Sequence, residues 1–267
     1  MRLAYLGTPA IAVPPLEALV AAGHDVALVV TRVDKRRGRG GATSPSPVKE
    51  AATRLGIPVT HVVDDVIGVG AELGVVVAFG RLIKPHVLAE LAMVNLHFSL
   101  LPRWRGAAPV ERALLAGDTV TGVCVMAVEE GLDTGGVYSR AEVPIGPATT
   151  LDELRDDLVR VGTQLLVDTL DAALGEPEPQ HGEVTYAPKL EPAELRIDWS
   201  RPAEEIDRLV RLGEAWTTFR GARVKINAAH VDGGELVPTI VQPEGKRPMS
   251  YEAWRNGARP AAGERFE

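Results

Sequence analysis

An amide and an imidazole stand two residues apart, Asn95 and His97, near the end of an apolar run that begins at Val94. On a β-strand, residues two apart share a face. Both polar side chains are therefore expected on one side of a sheet, close to the strand's carboxyl end. A donor amide beside a group that can pass a proton suits acyl transfer, in which negative charge develops on a carbonyl oxygen. Asp133 lies in the tight segment Gly131-Leu132-Asp133-Thr134-Gly135-Gly136. A carboxylate there could hold His97 protonated and oriented. On spacing alone, a turn aspartate and a strand-end histidine bonded to their own neighbours fit equally well.

The other histidines, His24, His61, His86, His181 and His230, have no ligand-like spacing to one another or to the single cysteine, Cys124. They read as surface or satisfied core residues and no metal is expected. The turn Gly7-Thr8-Pro9 has neither the glycines of a dinucleotide fingerprint nor a Walker loop. One cysteine excludes an intrachain disulfide framework.

Leu3–Leu6 and Asp25–Thr31 read as buried strands, Pro58–Thr60 as a short one and Gly74–Ala78 as a wholly apolar one of the parallel-sheet kind. Between them, apolar residues recur at helical spacing from Ile11 to Val20, from Ser46 to Leu55 and from Pro85 to Leu91. A further helix from Ala108 to Ala116 precedes the β-rich stretch Val120–Val128. Short connections in such an alternation imply an α/β fold with an open, mostly parallel, Rossmann-like sheet, whose ligands sit at the carboxyl ends of the strands. A long amphipathic helix follows from Thr150 to Leu174, then the extended stretch Glu176-Pro177-Glu178-Pro179, a helix from Pro202 to Leu212 and alternating segments up to Val241. The expected domains are 1–175, a linker at 176–196, and a small β-rich appendage at 197–267.

The 267 residues carry a formal net charge of -7. Before Arg196 there are 17 basic and 25 acidic residues, and from Arg196 onward 12 and 11. Global acidity speaks against a generic nucleic-acid coat. One opposite island, Arg32, Lys35, Arg36, Arg37 and Arg39, lies among Gly38, Gly40 and Gly41. Such a loop is either a solvated surface or a grip on a phosphate backbone. No stretch reaches the about 20 apolar residues of a membrane span, and the N-terminus lacks a secretory core. A cytoplasmic protein without membrane attachment is expected.

The order Asn95-Leu96-His97-Phe98-Ser99-Leu100-Leu101-Pro102, Gly122-Val123-Cys124-Val125-Met126, Glu130-Gly131-Leu132-Asp133-Thr134-Gly135 resembles the folate-dependent formyltransferases. Gly7-Thr8-Pro9, Ser44–Lys49, Arg103–Pro109 and Gln242–Met249 are similar to the branch that formylates methionyl-initiator tRNA. The resemblance runs from the first strand nearly to the C-terminus.

That resemblance implies an enzyme using 10-formyltetrahydrofolate as formyl donor, with Asn95, His97 and Asp133 at the catalytic positions. It implies folate contacts from Phe79, Arg81, Leu82, Ile83, Ser99, Leu100, Leu101, Pro102, Glu129, Glu130, Gly131, Leu132 and Gly135. Contacts to tRNA are implied for Arg32, Lys35, Arg36, Arg37, Arg39, Lys49, Arg103, Arg105, Lys246 and Arg247, in a monomer. The appendage matches the branch's small C-terminal OB-like β-barrel, shortened between Val224 and Gln242. Leu212–Thr218 replaces the family's usual Phe-Asn-Pro-Trp-Pro stretch, and Val33–Arg37 its Gln-Pro-Asp-Arg-Pro. The alternatives are a related formyltransferase acting on a nucleotide-linked amino sugar or glycinamide ribonucleotide, a folate or tRNA binding module without turnover, and hydrolysis of the formyl donor.

Overall fold

A computed structural model describes residues 1–36 and 43–267, with Arg36 described by its backbone only. The strands begin with Arg2–Gly7 (β1), Asp25–Val30 (β2) and the short antiparallel pair Lys35–Arg36 (β3) and Thr43–Ser44 (β4). They continue with Val59–Thr60 (β5), Leu73–Val77 (β6), Met93–His97 (β7), Arg105–Gly106 (β8), Val120–Ala127 (β9), Val137–Pro144 (β10) and Tyr186–Ala187 (β11). The last four are Trp216–Phe219 (β12), Ala222–Asp232 (β13), Glu235–Pro243 (β14) and Met249–Ser250 (β15). The helices are Val13–Ala21 (α1), Pro47–Arg54 (α2), Pro85–Glu90 (α3), Pro109–Ala116 (α4), Leu151–Asp171 (α5), Ala203–Arg211 (α6) and Tyr251–Ala258 (α7).

Seven strands form one sheet in the order β10-β9-β7-β6-β1-β2-β5. From β5 to β7 the pairing is parallel, and β9 and β10 are added antiparallel. The chain starts at β1, builds outward through β2 and β5, then returns to β6 on the other side. That reversal puts a crevice at the carboxyl ends of β1 and β6, beside the end of β7. The apolar runs of β1 and β6 are buried on both faces, as helices packed on both sides require. Helix starts are written locally: Pro47 opens α2 and the Ser46 hydroxyl accepts from the Lys49 N–H at 3.0 Å. Thr150 and Glu153 bond each other reciprocally at the start of α5.

By its contacts the chain divides into two compact units. One comprises Met1–Pro109, Val120–Pro144 and Arg155–Ala187, the other Val110–Thr119, Ile145–Leu154 and Pro188–Glu267. In the second, the shortened barrel takes the form of a four-stranded antiparallel sheet, β12-β13-β14-β15. Ile206 and Val210 of α6 and Trp254 of α7 join Phe219, Val224, Ile226 and Val241 in its core. Sequence periodicity had not indicated α7. Among the described residues, no helix is long and apolar enough to cross a membrane.

Candidate active site

Met93–His97 forms a strand because its apolar residues fill both faces of a central position, with Asn95 opposite Val76 on one side and Met126 on the other. Asn95 is half-buried and its side chain has no hydrogen-bond partner among the described residues. His97, on the same face, is 5% exposed and its Nε2 donates to the Trp104 carbonyl at 3.0 Å. A carbonyl can only accept, so the proton sits on Nε2 and the Nδ1 side is turned to Asp133. There Nδ1 lies 3.7 Å from Oδ2. Burial lowers the His97 pKa, against the opposing pulls of the Asp133 carboxylate and the Trp104 carbonyl. Near pH 7 the imidazole is therefore held neutral, with a carboxylate ready to stabilise a proton on Nδ1 when charge develops nearby.

Asp133 reaches this place by a backbone few residues adopt, φ 50°. Its short polar side chain makes that left-handed conformation tolerable. The carboxylate Oδ2 accepts from the Gly106 N–H at 2.8 Å. Gly106 is itself at φ 124°, and a Cβ there would lie 2.8 Å from the Ala187 carbonyl oxygen, so only glycine lets β8 and β11 approach. Gly135 is similarly constrained, since a Cβ would stand 2.0 Å from the Ala127 carbonyl oxygen. Both glycines serve to seat the loop that carries the carboxylate.

The expected folate residues fall into two groups. Phe79 and Ile83 are buried in the core cluster against Leu6, Val76 and Val87, whereas Leu82 is 80% and Leu132 62% exposed. Beside the Val128–Gly131 loop a shallow cleft of about 510 Å³ is lined by Pro85, Leu88 and Ala89 of α3 together with Val128, Glu129, Glu130 and Gly131. Its volume falls in the usual range of ligand sites. Arg81 stacks over Phe79 at 5.5 Å and donates to the His61 carbonyl. Ser99 is buried, its hydroxyl donating to the Arg103 carbonyl at 2.6 Å, and Leu101 and Pro102 are buried next to half-buried Leu100. Gly135 is buried as well.

Of the basic residues, Arg37, Arg39 and the Arg36 side chain lie outside the described residues, with Gly38, Gly40 and Gly41. Arg32 bonds the Val33 carbonyl at 3.0 Å, Lys35 is exposed, and Lys49 is paired with Asp34 at 2.8 Å. Arg103 lies over the Trp104 ring at 4.4 Å. Arg105 donates from Nε and Nη2 to Gln180 Oε1, at 3.1 and 2.6 Å. Lys246 and Arg247 are exposed on the turn before β15. Missing from the sequence reading were the Gly106 N–H, the Trp104 carbonyl and Gln180. The first two are backbone groups without a side-chain signature, and Gln180 follows a Pro-rich stretch that reads as a spacer. Among the described residues, no cluster of His, Cys, Asp and Glu could hold a metal.

Residues 1–170 match the formyl transferase family model and residues 189–236 the formyl transferase C-terminal domain model. A methionyl-tRNA formyltransferase of Roseobacter denitrificans is 46% identical over 260 residues, covering 91% of this chain and 85% of the relative. One from Symbiobacterium thermophilum is 42% identical over 311 alignment positions, covering all of this chain and 95% of the relative. Those 311 positions against 267 residues leave at least 44 without a residue here, in keeping with a shortened chain. Solved structures show the fold: a methionyl-tRNA formyltransferase from Clostridium thermocellum has TM-score 0.62 at 15% identity, covering 91% of this chain and 98% of that one. An N-formyltransferase from Helicobacter canadensis, solved with folinic acid and dTDP-3-aminofucose, has TM-score 0.69 at 16% identity, covering 93% and 98%. Shape alone does not separate the two activities, whereas identity above 40% over the whole chain does: the chain belongs to the formyl transferase family, in its methionyl-tRNA formyltransferase branch.

Proposed function

We propose that this protein transfers the formyl group of 10-formyltetrahydrofolate to the α-amine of methionine esterified to initiator tRNA, as a cytoplasmic monomer. The observation that carries the reading is the convergence of Asn95, His97 and Asp133 at the carboxyl edge of β7 in a chain with this family membership. The neutral amine attacks the formyl carbon. Asn95 donates to the carbonyl oxygen as it becomes an oxyanion, and His97 Nδ1 takes up the proton that the attacking amine releases, which places a positive charge near the oxyanion. Asp133 stabilises that imidazolium and assists removal of the amine proton, directly or through a water molecule. The leaving group is the folate nitrogen, which receives that proton from His97 as the C–N bond breaks, and no covalent enzyme intermediate forms. Leu82, Leu132 and the cleft beside Val128–Gly131 supply apolar surface for a flat pterin ring.

A single assay tests this: formylation of methionyl-initiator tRNA by 10-formyltetrahydrofolate, scored against uncharged tRNA, nucleotide-linked amino sugars and water. Formylation of a sugar but not of the tRNA would replace the substrate assignment, and release of formate alone would make the protein a hydrolase.

The basic residues after β2 are assigned to the tRNA backbone. Replacing Arg36, Arg37 and Arg39 by alanine should weaken tRNA binding and reduce the slope of log affinity against log salt by about 3, because each neutralised phosphate releases counterions. Isothermal binding at several salt concentrations reads it, and an unchanged slope would mean that these three arginines do not contact the tRNA backbone.

The depressed His97 pKa also has a sign for stability. With the folded value below the usual 6.5, the unfolded chain binds more protons in the interval between the two. This contribution is complete above the unfolded value and is lost as pH falls through the interval. The melting difference between wild type and His97→Gln should therefore change between pH 5 and 7 and level off above pH 7. A difference flat from pH 5 to 8 would contradict a buried, neutral imidazole.

A further inference from the structure

Gln180 uses all of its hydrogen-bonding capacity on three residues. Its Nε2 donates to the carbonyls of Asp133 and Gly135, both at 2.8 Å, and its Oε1 accepts from Arg105 Nε and Nη2. Guanidinium groups only donate and backbone carbonyls only accept, so the amide has one workable orientation. Arg105 adjoins Gly106, whose N–H holds the Asp133 carboxylate at 2.8 Å. The segment that carries Gln180 is in turn paired with the first unit's sheet, Glu178 exchanging two backbone hydrogen bonds with Val137. A closed ring results, running from Arg105 through Gln180 to the Asp133 main chain, and from the Asp133 side chain back to Gly106.

We propose that Arg105 and Gln180 are positioning residues, which hold the loop around Asp133 so that its carboxylate faces His97 Nδ1, and that Arg105 serves the active site rather than the tRNA backbone. The inference rests on the proposed roles of His97 and Asp133. The Gln180 amide clamps the carbonyls of Asp133 and Gly135, on either side of Thr134, and so holds the left-handed Asp133 by its own carbonyl and by the one two residues on. A neutral amide suits this better than a charged group. A carboxylate in its place would still receive Arg105 but would face two carbonyl oxygens without a proton to give.

The test uses the full-length protein with three variants, Gln180→Met, Gln180→Glu and Arg105→Lys. Displacement of a catalytic group by about 1 Å can cost on the order of 10²-fold in rate. Gln180→Met and Gln180→Glu should each lower kcat by roughly 10- to 100-fold while KM for methionyl-tRNA stays within about 3-fold, the pattern of a lost transition-state interaction. Arg105→Lys keeps the charge and loses the fork, so it should lower kcat and leave KM for methionyl-tRNA within about 3-fold. An NMR titration of the His97 imidazole reads positioning without turnover: it should move to lower pH in all three variants, because a receding carboxylate withdraws its support of the imidazolium. Wild-type kcat and an unmoved His97 titration in Gln180→Glu and Arg105→Lys, which preserve side-chain size, would overturn the proposal even if Gln180→Met failed to fold. A raised KM for methionyl-tRNA with normal kcat in Arg105→Lys would assign that arginine to tRNA and likewise overturn it. Absence of tRNA formylation by wild type would count against the proposed function, and the imidazole titration would still decide the positioning role.

Discussion

Replacing His97 by alanine should lower kcat for formylation of methionyl-tRNA by about 10²–10⁴, the range for loss of a group that moves a proton in the transition state. Asp133→Asn should fall in the same range with less disturbance, since an amide oxygen can still accept from the Gly106 N–H at 2.8 Å while the charge that supports His97 is gone. The loop would keep its place and lose its electrostatic effect. Loss in both variants together should be far less than the product of the single losses, because Asp133 acts through His97 and through the same proton. Steady-state kinetics on the three proteins, with thermal melts alongside, check this. Rates within about 3-fold of wild type in His97→Ala would remove the imidazole from the mechanism, and multiplicative losses would separate the carboxylate from it.

The parts of this site legible in the sequence are those that depend on local period. Asn95 and His97 fall on one face because a buried strand alternates, and an apolar run flanked by turn residues says where that strand lies. Asp133 is legible as a turn residue because glycines surround it, although its partner is not, since that requires a loop to return to the end of β7. Gly106 and Gln180 are beyond local reasoning. The ribbon holding Gly106 is two residues long and pairs with Tyr186–Ala187, about 80 residues away. Gln180 follows Glu176-Pro177-Glu178-Pro179, a composition that reads as a spacer, yet Glu178 pairs with Val137 and places the glutamine amide under the Asp133 loop. The same limit explains α7. Tyr251 and Trp254 are its two large apolar residues, too few for a period, and its Ser250 cap becomes meaningful only once the helix is seen.

Trp254→Ala should destabilise the second unit by about 3–5 kcal/mol, the usual cost of truncating a large buried aromatic side chain. Trp254 is 8% exposed and sits edge-on to Phe219 at 4.9 Å while stacking on Tyr251 at 5.6 Å and Phe266 at 5.0 Å. A four-stranded sheet has little apolar area of its own, so this aromatic group carries a large share of the unit's core. Phe266 also stacks on Trp199 at 5.7 Å, and Glu267 next to it pairs with the Thr218 backbone. Removal of the indole therefore opens a cavity bordered by α7, β12 and residues 264–267 at once. Because β15 leads directly from the turn bearing Lys246 and Arg247 into α7, loosening that helix frees the turn as well. Hydrogen exchange should accelerate across Pro188–Glu267 and stay near wild type in β1, β6 and β7. If Lys246 and Arg247 contact tRNA, KM for methionyl-tRNA rises while kcat at saturating tRNA changes little. Exchange in Pro188–Glu267 that stays at the wild-type rate would mean that α6 and the sheet hold the unit without α7, and a fall in kcat with constant KM would place the influence of this unit on the chemical step.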